Sequence, residues 1–280
     1  MRRFRVTISF LVILFSGLGQ AFPAAAEQED KLAPLAIFDA ALVQFESSRA
    51  ALRKWQYYQT LTTHQLDGDG KVVAKGTWRS IVRPGDPKPL EYISKSMEGK
   101  LSFFEEGAEE PEEAATSPGA LKAASKSEKN QAESAVEAVR KYNLRDRYLW
   151  TRLPDENATG ESAYVIAFEP QPKQNTRSRE ERFFGLLAGK LWVSRSDFTV
   201  LKAEAALQSP CQLFWIIARV TTFQLTYELE PARGGNRLLR PSRATAKTVV
   251  SFPFYSVRQR HWQTVDKYEP RTPRRSATPR

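Results

Sequence analysis

Cysteine, histidine and methionine are scarce in this chain of 280 residues, which has one Cys, two His and two Met. A single Cys211 excludes an internal disulfide, so packing has to hold the fold. Placed between Pro210 and an apolar run, it reads as an inert core thiol. His64 and His261 are far apart, and no Cys-x-x-Cys, His-x-x-x-His or H-E-x-x-H spacing occurs, so no dedicated zinc site is expected. Phosphate loop, dinucleotide fingerprint and G-x-S-x-G elbow are missing too, and no cofactor is expected. A Ser/His/Asp triad assembled from distant positions stays open.

Long apolar runs are also lacking, with one exception. Val6–Leu18 follows Arg2, Arg3 and Arg5 and precedes Ala24-Ala25-Ala26, the pattern of a cleaved secretory signal over residues 1–26. The run is too short for a membrane-spanning helix. No lipid-accepting cysteine follows the cleavage site, so a periplasmic or secreted protein is expected. Without the three signal arginines, 39 basic residues face 32 acidic ones, a net charge of +7. The excess is dense only at the end, where Arg271, Arg274, Arg275 and Arg280 stand among Thr, Ser and Pro. Residues 270–280 thus read as a basic disordered tail, either simply solvated or touching anionic membrane surfaces. No nucleic-acid motif is present, and nucleic acid is not expected as a partner.

What is there reads mainly as β. Lys31–Lys54 is the expected helix, with Pro34 in its first turn and Leu35, Phe38, Leu42, Phe45 and Leu52 forming one apolar stripe. Trp55–Leu66 and Lys71–Arg83 flank Asp67-Gly68-Asp69-Gly70, a hairpin turn. The same string lacks the twelfth-position Glu of a calcium loop, where Trp78 stands. A second hairpin is expected between Glu91–Ser96 and Lys100–Phe104. Six glutamates between Glu105 and Glu113 then open a polar stretch, so 107–129 reads as a flexible acidic insertion. Gln131–Tyr142 has helical composition.

From Tyr148 the strands expected are Tyr148–Arg152, Ala163–Glu169, Leu191–Ser194, Val200–Leu207, Arg219–Glu230, Leu238–Val250 and Val257–Tyr268. Phe223, Leu225, Tyr227 and Leu229 alternate with Gln224, Thr226 and Glu228, the mark of a sheet with one dry and one wet face. Eleven locally linked strands argue for one domain over residues 27–269. It would be a large curved antiparallel sheet, an open half-barrel with helices over its concave face.

Two segments invite a functional reading. Arg177–Arg182 is a mixed charge run leading into apolar Phe183–Gly189; the pair is either a solvated loop or a flap beside a pocket. Trp192, Phe214, Trp215, Phe223 and Tyr227 belong to an aromatic surplus that either fills a core or lines a lumen. Phe183, Phe184, Leu187, Trp192, Phe214, Trp215, Phe223 and Tyr227 are therefore the candidate ligand-binding residues, with no catalytic residue and no metal ligand assigned.

The stretch Ala163–Leu207 resembles the LolA/LolB-like superfamily, nearest its "outer membrane lipoprotein-sorting protein" branch. Carrying that resemblance are the strand from Ala163 to Pro170, the Arg179–Arg182 run, Gly189-Lys-Leu-Trp-Val-Ser-Arg-Ser-Asp197, and Val200-Leu-Lys-Ala-Glu204. It implies an open half-barrel whose apolar cavity receives lipid or lipoprotein acyl chains, a monomeric, non-enzymatic carrier or sensor. An exported envelope hydrolase and a ligand-free envelope scaffold are the alternatives.

Overall fold

The computed structural model describes residues 32–86, 89–102, 135–172, 174–214, 218–231 and 237–271. The signal (1–26), the acidic insertion (107–129), Trp215 and all but the first two residues of the tail lie outside the described residues.

The chain builds an eleven-stranded antiparallel sheet. Strands β1 (Trp55–Leu66), β2 (Val72–Val82) and β3 (Leu90–Glu98) come first. Then follow β4 (Tyr148–Ala158), β5 (Glu161–Pro170), β6 (Leu187–Ser194), β7 (Val200–Leu207) and β8 (Cys211–Phe214). The last three are β9 (Ala218–Leu229), β10 (Ser242–Ser251) and β11 (Ser256–Pro270). Their order is β3-β2-β1-β11-β10-β9-β7-β6-β5-β4, with β8 beside β9. The sheet stays open, because β3 and β4 are edges rather than partners. The first strands join the rest through the last one, β11, which pairs with β1 from Trp55↔Pro270 to Leu66↔Arg258.

Local chemistry explains the turns. Asp67 closes the β1–β2 hairpin, its Oδ1 accepting from the backbone N–H of Asp69 (3.0 Å) and Lys71 (2.9 Å). Thr159 and Gly160, at φ 51° and 84°, form the two-residue loop between β4 and β5. That hairpin carries β4 six residues beyond the expected Arg152 and starts β5 two residues before the expected Ala163. Glu91–Ser96 falls within β3, but Lys100–Ser102 is not strand: Leu101 is a fully buried wedge, and Phe103 and Phe104 lie outside the described residues.

Register assigns the faces. Arg152, Ile166, Leu191, Ala203, Tyr227, Ala244, Gln263, Leu61 and Trp78 stand opposite one another in a single row across nine strands. This is the inner face. Helix α1 (Pro34–Leu52) lies over it, with Phe38 packed 4.2 Å from Trp150. The buried side of α1 is Ile37, Phe38, Ala41, Gln44, Ser48 and Leu52, rotated from the expected stripe; Leu35 and Leu42 are only half-buried. Helices α2 (Ala135–Lys141), α3 (Leu144–Arg147) and α4 (Arg179–Phe184) add Val139, Tyr142, Leu144 and Phe184 to the same core.

Candidate functional site

The inner face divides into an apolar half and a polar half. On the apolar half, β5, β6, β7 and β9 present Ile166, Phe168, Leu191, Leu201, Phe223, Leu225 and Tyr227, all buried. Helix α4 closes its upper end. Ser178 caps that helix, accepting from the Glu181 N–H at 3.0 Å, and Gly185 ends it. The two phenylalanines of α4 then diverge. Phe183 is half-buried and meets Phe223 edge-on at 5.2 Å, whereas Phe184 is buried 4.8 Å from Tyr142. Tyr148 Oη donates to the Phe184 carbonyl (2.7 Å), tying the helix end to β4.

Arg177–Gly189 is thus not one flap. Its first part is a capped helix, and from Leu187, paired with Leu207, it is already sheet. Phe184 is 5% and Leu187 3% exposed, as deeply enclosed as Trp192 at 5%. Phe223 and Tyr227 lie on the inner wall. Trp192 does not: it stands opposite Val165 and Lys202, whose neighbour in β9 is Glu228, and so belongs to the outer face. There its Nε1 donates to Glu156 (2.8 Å) and the Lys202 ammonium sits 4.5 Å above its ring. The three-residue apolar run Leu191-Trp192-Val193 hides this, because alternation cannot name a face when both faces are apolar. Phe214 lies in β8, but its side chain and Trp215 are outside the described residues.

The polar half was not visible from sequence. Strands β10, β11, β1 and β2 turn Ser242, Thr248, Gln259, His261, Gln263, Thr63 and Ser80 inward, each buried. Thr63 Oγ1 and His261 Nδ1 share a hydrogen bond of 2.9 Å. Gln65 accepts from the Ser102 N–H (2.7 Å) while Gln259 donates to the Ser102 carbonyl (2.8 Å), clamping the chain after β3 across two strands. On α1, Gln44 and Ser48 are buried, and the Ser48 hydroxyl donates to the Gln44 carbonyl at 2.6 Å. Trp78 covers bare Gly76, where a Cβ would come within 2.4 Å of the indole. The wall consists of neutral hydrogen-bonding groups, which suits an ester, an amide or hydroxyls better than an ion.

The Thr63–His261 contact is the nearest thing to a nucleophile–base pair. Burial pushes the His261 pKa down to about 4, so the ring is neutral and weakly basic at neutral pH. Its lateral neighbours are Thr63 and Ala246, and glutamines stand two residues away on either side. His64 is on the outer face, edge-on to Trp262 at 4.7 Å, its pKa lowered by burial and then by the Lys75 and Arg260 charges. Burial raises the Cys211 thiol pKa, the opposite of an activated thiolate. Among the described residues, no group of three or more His, Cys, Asp or Glu could hold a metal ion.

No protein-family model and no curated protein matches the chain. Among solved structures, it is similar to an outer membrane lipoprotein-sorting protein domain from Vibrio parahaemolyticus. That match has 10% identity and a TM-score of 0.32, covering 89% of this chain and 96% of the other. A LolA superfamily protein from Nitrosomonas europaea matches at 13% identity and TM-score 0.30, over 86% and 95% of the two chains. A DUF1329 family protein from Desulfovibrio piger matches at 13% and 0.31, over 85% and 94%. Two of the three carry the descriptions that the Ala163–Leu207 motif resembles. At these TM-scores the likeness adds nothing to what strand order and register establish.

Proposed function

We propose that this chain is an exported, non-enzymatic carrier or sensor that takes lipid or lipoprotein acyl chains against the apolar half of its inner face. The reading rests on a signal-like start over residues 1–26, which suits the periplasm or the outside of the cell, and on one observation. Phe183 is a half-buried ring at the end of a six-residue helix, lying edge-on over the deeply buried Phe223. With Leu186, also half-buried, it is the part of the cover that can yield without opening the sheet. Phe184, Leu187, Phe223 and Tyr227 would then be the wall, and the neutral polar half would meet the ester or amide end of the ligand.

Energetics support this. Each methylene taken from water contributes ~0.8 kcal/mol, so a single acyl chain can offset the displacement of one aromatic ring. The work is done by a monomer and requires no catalytic group. For the alternative hydrolase, the nearest thing to a nucleophile–base pair among the described residues is Thr63 with His261, a buried pair whose base is weak.

The test is native mass spectrometry, with solvent extraction, of protein purified from its own envelope fraction. Acyl species bound in stoichiometric amount are expected. Phe183→Asp, at a half-exposed position, should strip them while thermal unfolding stays near that of the parent. Protein free of acyl species, or full retention in Phe183→Asp, would remove the carrier reading.

A further inference from the structure

At its upper end the sheet carries an apolar tip that its own fold leaves bare. Strands β10 and β11 are joined by Phe252-Pro253-Phe254-Tyr255, where Phe254 is 97% and Tyr255 60% exposed. The tip is built rather than frayed. Phe252 N–H donates to the Tyr255 carbonyl at 2.8 Å, and the two rings stack at 4.6 Å with 11° between their planes. That arrangement directs Phe254 away from any packing. Nearby, the β1–β2 hairpin adds exposed Val72 and Val73 at the same end of the sheet, because Leu66 pairs with both Val72 and Arg258.

Cations sit immediately behind the tip on the outer face. Arg219 stands opposite Ser251, and Arg258 opposite Val249. One row further on, Lys247 lies directly opposite Arg260, and Arg260 opposite His64. Facing cations on neighbouring strands repel, an arrangement that costs stability unless something anionic covers it. Among the described residues, Arg219, Lys247, Arg258 and Arg260 make no ion pair.

We propose that this tip docks the protein on an anionic bilayer. Phe254 and Tyr255 enter the boundary between headgroups and acyl chains, and Arg258 and Arg219 meet lipid phosphates. Spacing fits. At ~3.3 Å per residue Arg258 stands ~10 Å behind the tip and Arg260 ~17 Å. Interfacial insertion reaches ~5–10 Å, and the Debye length at physiological salt is ~8 Å. The first pair of cations therefore reaches the headgroups and the second lies within their field. Aromatic rings favour that interface over either bulk phase. An anionic polymer would use the cations and leave Phe254 idle, and a protein partner would not follow lipid charge. The docking concerns where the molecule sits and does not depend on whether the inner face carries cargo.

The experiment is flotation of the full mature chain with phosphatidylglycerol–phosphatidylcholine vesicles and with phosphatidylcholine vesicles. Binding is expected on the first only, and should weaken as salt rises. Phe254→Ser combined with Tyr255→Ser should reduce partitioning by about tenfold or more, and Arg219→Gln or Arg258→Gln by roughly fivefold each. Phe254 is almost fully exposed and takes no part in the Phe252–Tyr255 stack, so Phe254→Ser alone should keep the parent unfolding temperature and still weaken partitioning. In a Phe254→Trp variant, emission should shift to the blue with anionic vesicles. Undiminished flotation of the Phe254/Tyr255 variant, equal binding to neutral vesicles, or no binding by the parent would each overturn the proposal. Extraction of bound acyl species from the soluble protein reports on the carrier reading alone, so the two can fail separately.

Discussion

His261 is the buried residue whose protonation most directly links this fold to pH. It is 2% exposed, bonded to Thr63, and its pKa is pushed down to about 4 by burial. In the unfolded chain a histidine titrates near 6.5. Above that value the ring is neutral in both states and takes nothing from stability. As pH falls from about 6.5 towards 4, the unfolded chain gains a proton that the folded chain refuses, so stability declines. Below about 4 both states are protonated and the decline from this group stops. The full difference is on the order of 3 kcal/mol. Urea midpoints measured from pH 7.5 down to 4.5 should show that loss in the parent. It should be much smaller in His261→Gln, which keeps a hydrogen-bonding group beside Thr63 but cannot ionise. Equal slopes in both proteins would mean that the ring is hydrated, and that the polar half of the inner face is open to water.

Among the elements, β6 depends most on one residue. Gly189 is paired between Phe168 and Ala205, and a Cβ there would come within 1.9 Å of the Glu204 carbonyl and 2.7 Å of the Phe168 ring. Backbone cannot yield as a side-chain tip can. Gly189→Ala should therefore cost ~2 kcal/mol or more and lower the melting temperature by several degrees. A neutral outcome would show that β6 and β7 stand further apart than their register requires. How far elements were legible follows from where their information lies. Strand β9 was plain because its alternation is complete, and the Asp67–Gly70 turn because Asp and Gly act locally. Strand β8, only four residues long, gives periodicity nothing to count. The face of α1 is set by what it packs on and not by its own spacing: Gln44 and Ser48 are buried, whereas Leu35 and Leu42 of the apolar stripe are only half-buried. Which side of a helix is buried depends on the sheet it meets, and that sheet is completed by the last strand of the chain. For the same reason the candidate site was only half legible. Its aromatic wall is written in β9, whereas its polar wall exists only once β1 and β11 pair.

At the scale of the whole molecule, the sheet has a strong wing and a weak one. Strands β4 to β10 enclose the large core with α1, α2 and α4, whereas β1 to β3 rest on the small cluster of Ala74, Trp78 and Leu101 with Leu61 and Met97. Burial of apolar area is the main stabilising term, so the two wings should differ in local stability. The outer edges reinforce the contrast. Edge strand β4 is guarded by Pro154 and a bulge between Leu153 and Glu156, and its inner side chains are covered by α1. Edge strand β3 leaves Tyr92 and Ile93 exposed and is buried at no position. Among the ties that hold the weak wing to the rest are the β1–β11 ladder and the clamp of Gln65 and Gln259 on Ser102. Native-state hydrogen exchange should therefore find the amides of β2 and β3 opening well below the free energy of global unfolding, with β5 and β9 opening only at that limit. Gln259→Ala, which removes one arm of the clamp, should accelerate exchange in β2 and β3 by roughly three- to tenfold while leaving β5 unchanged, as expected for the loss of one hydrogen bond worth about 1 kcal/mol. Uniform protection across all strands, or a Gln259→Ala effect spread evenly over the sheet, would mean that the two wings fold and open as one unit.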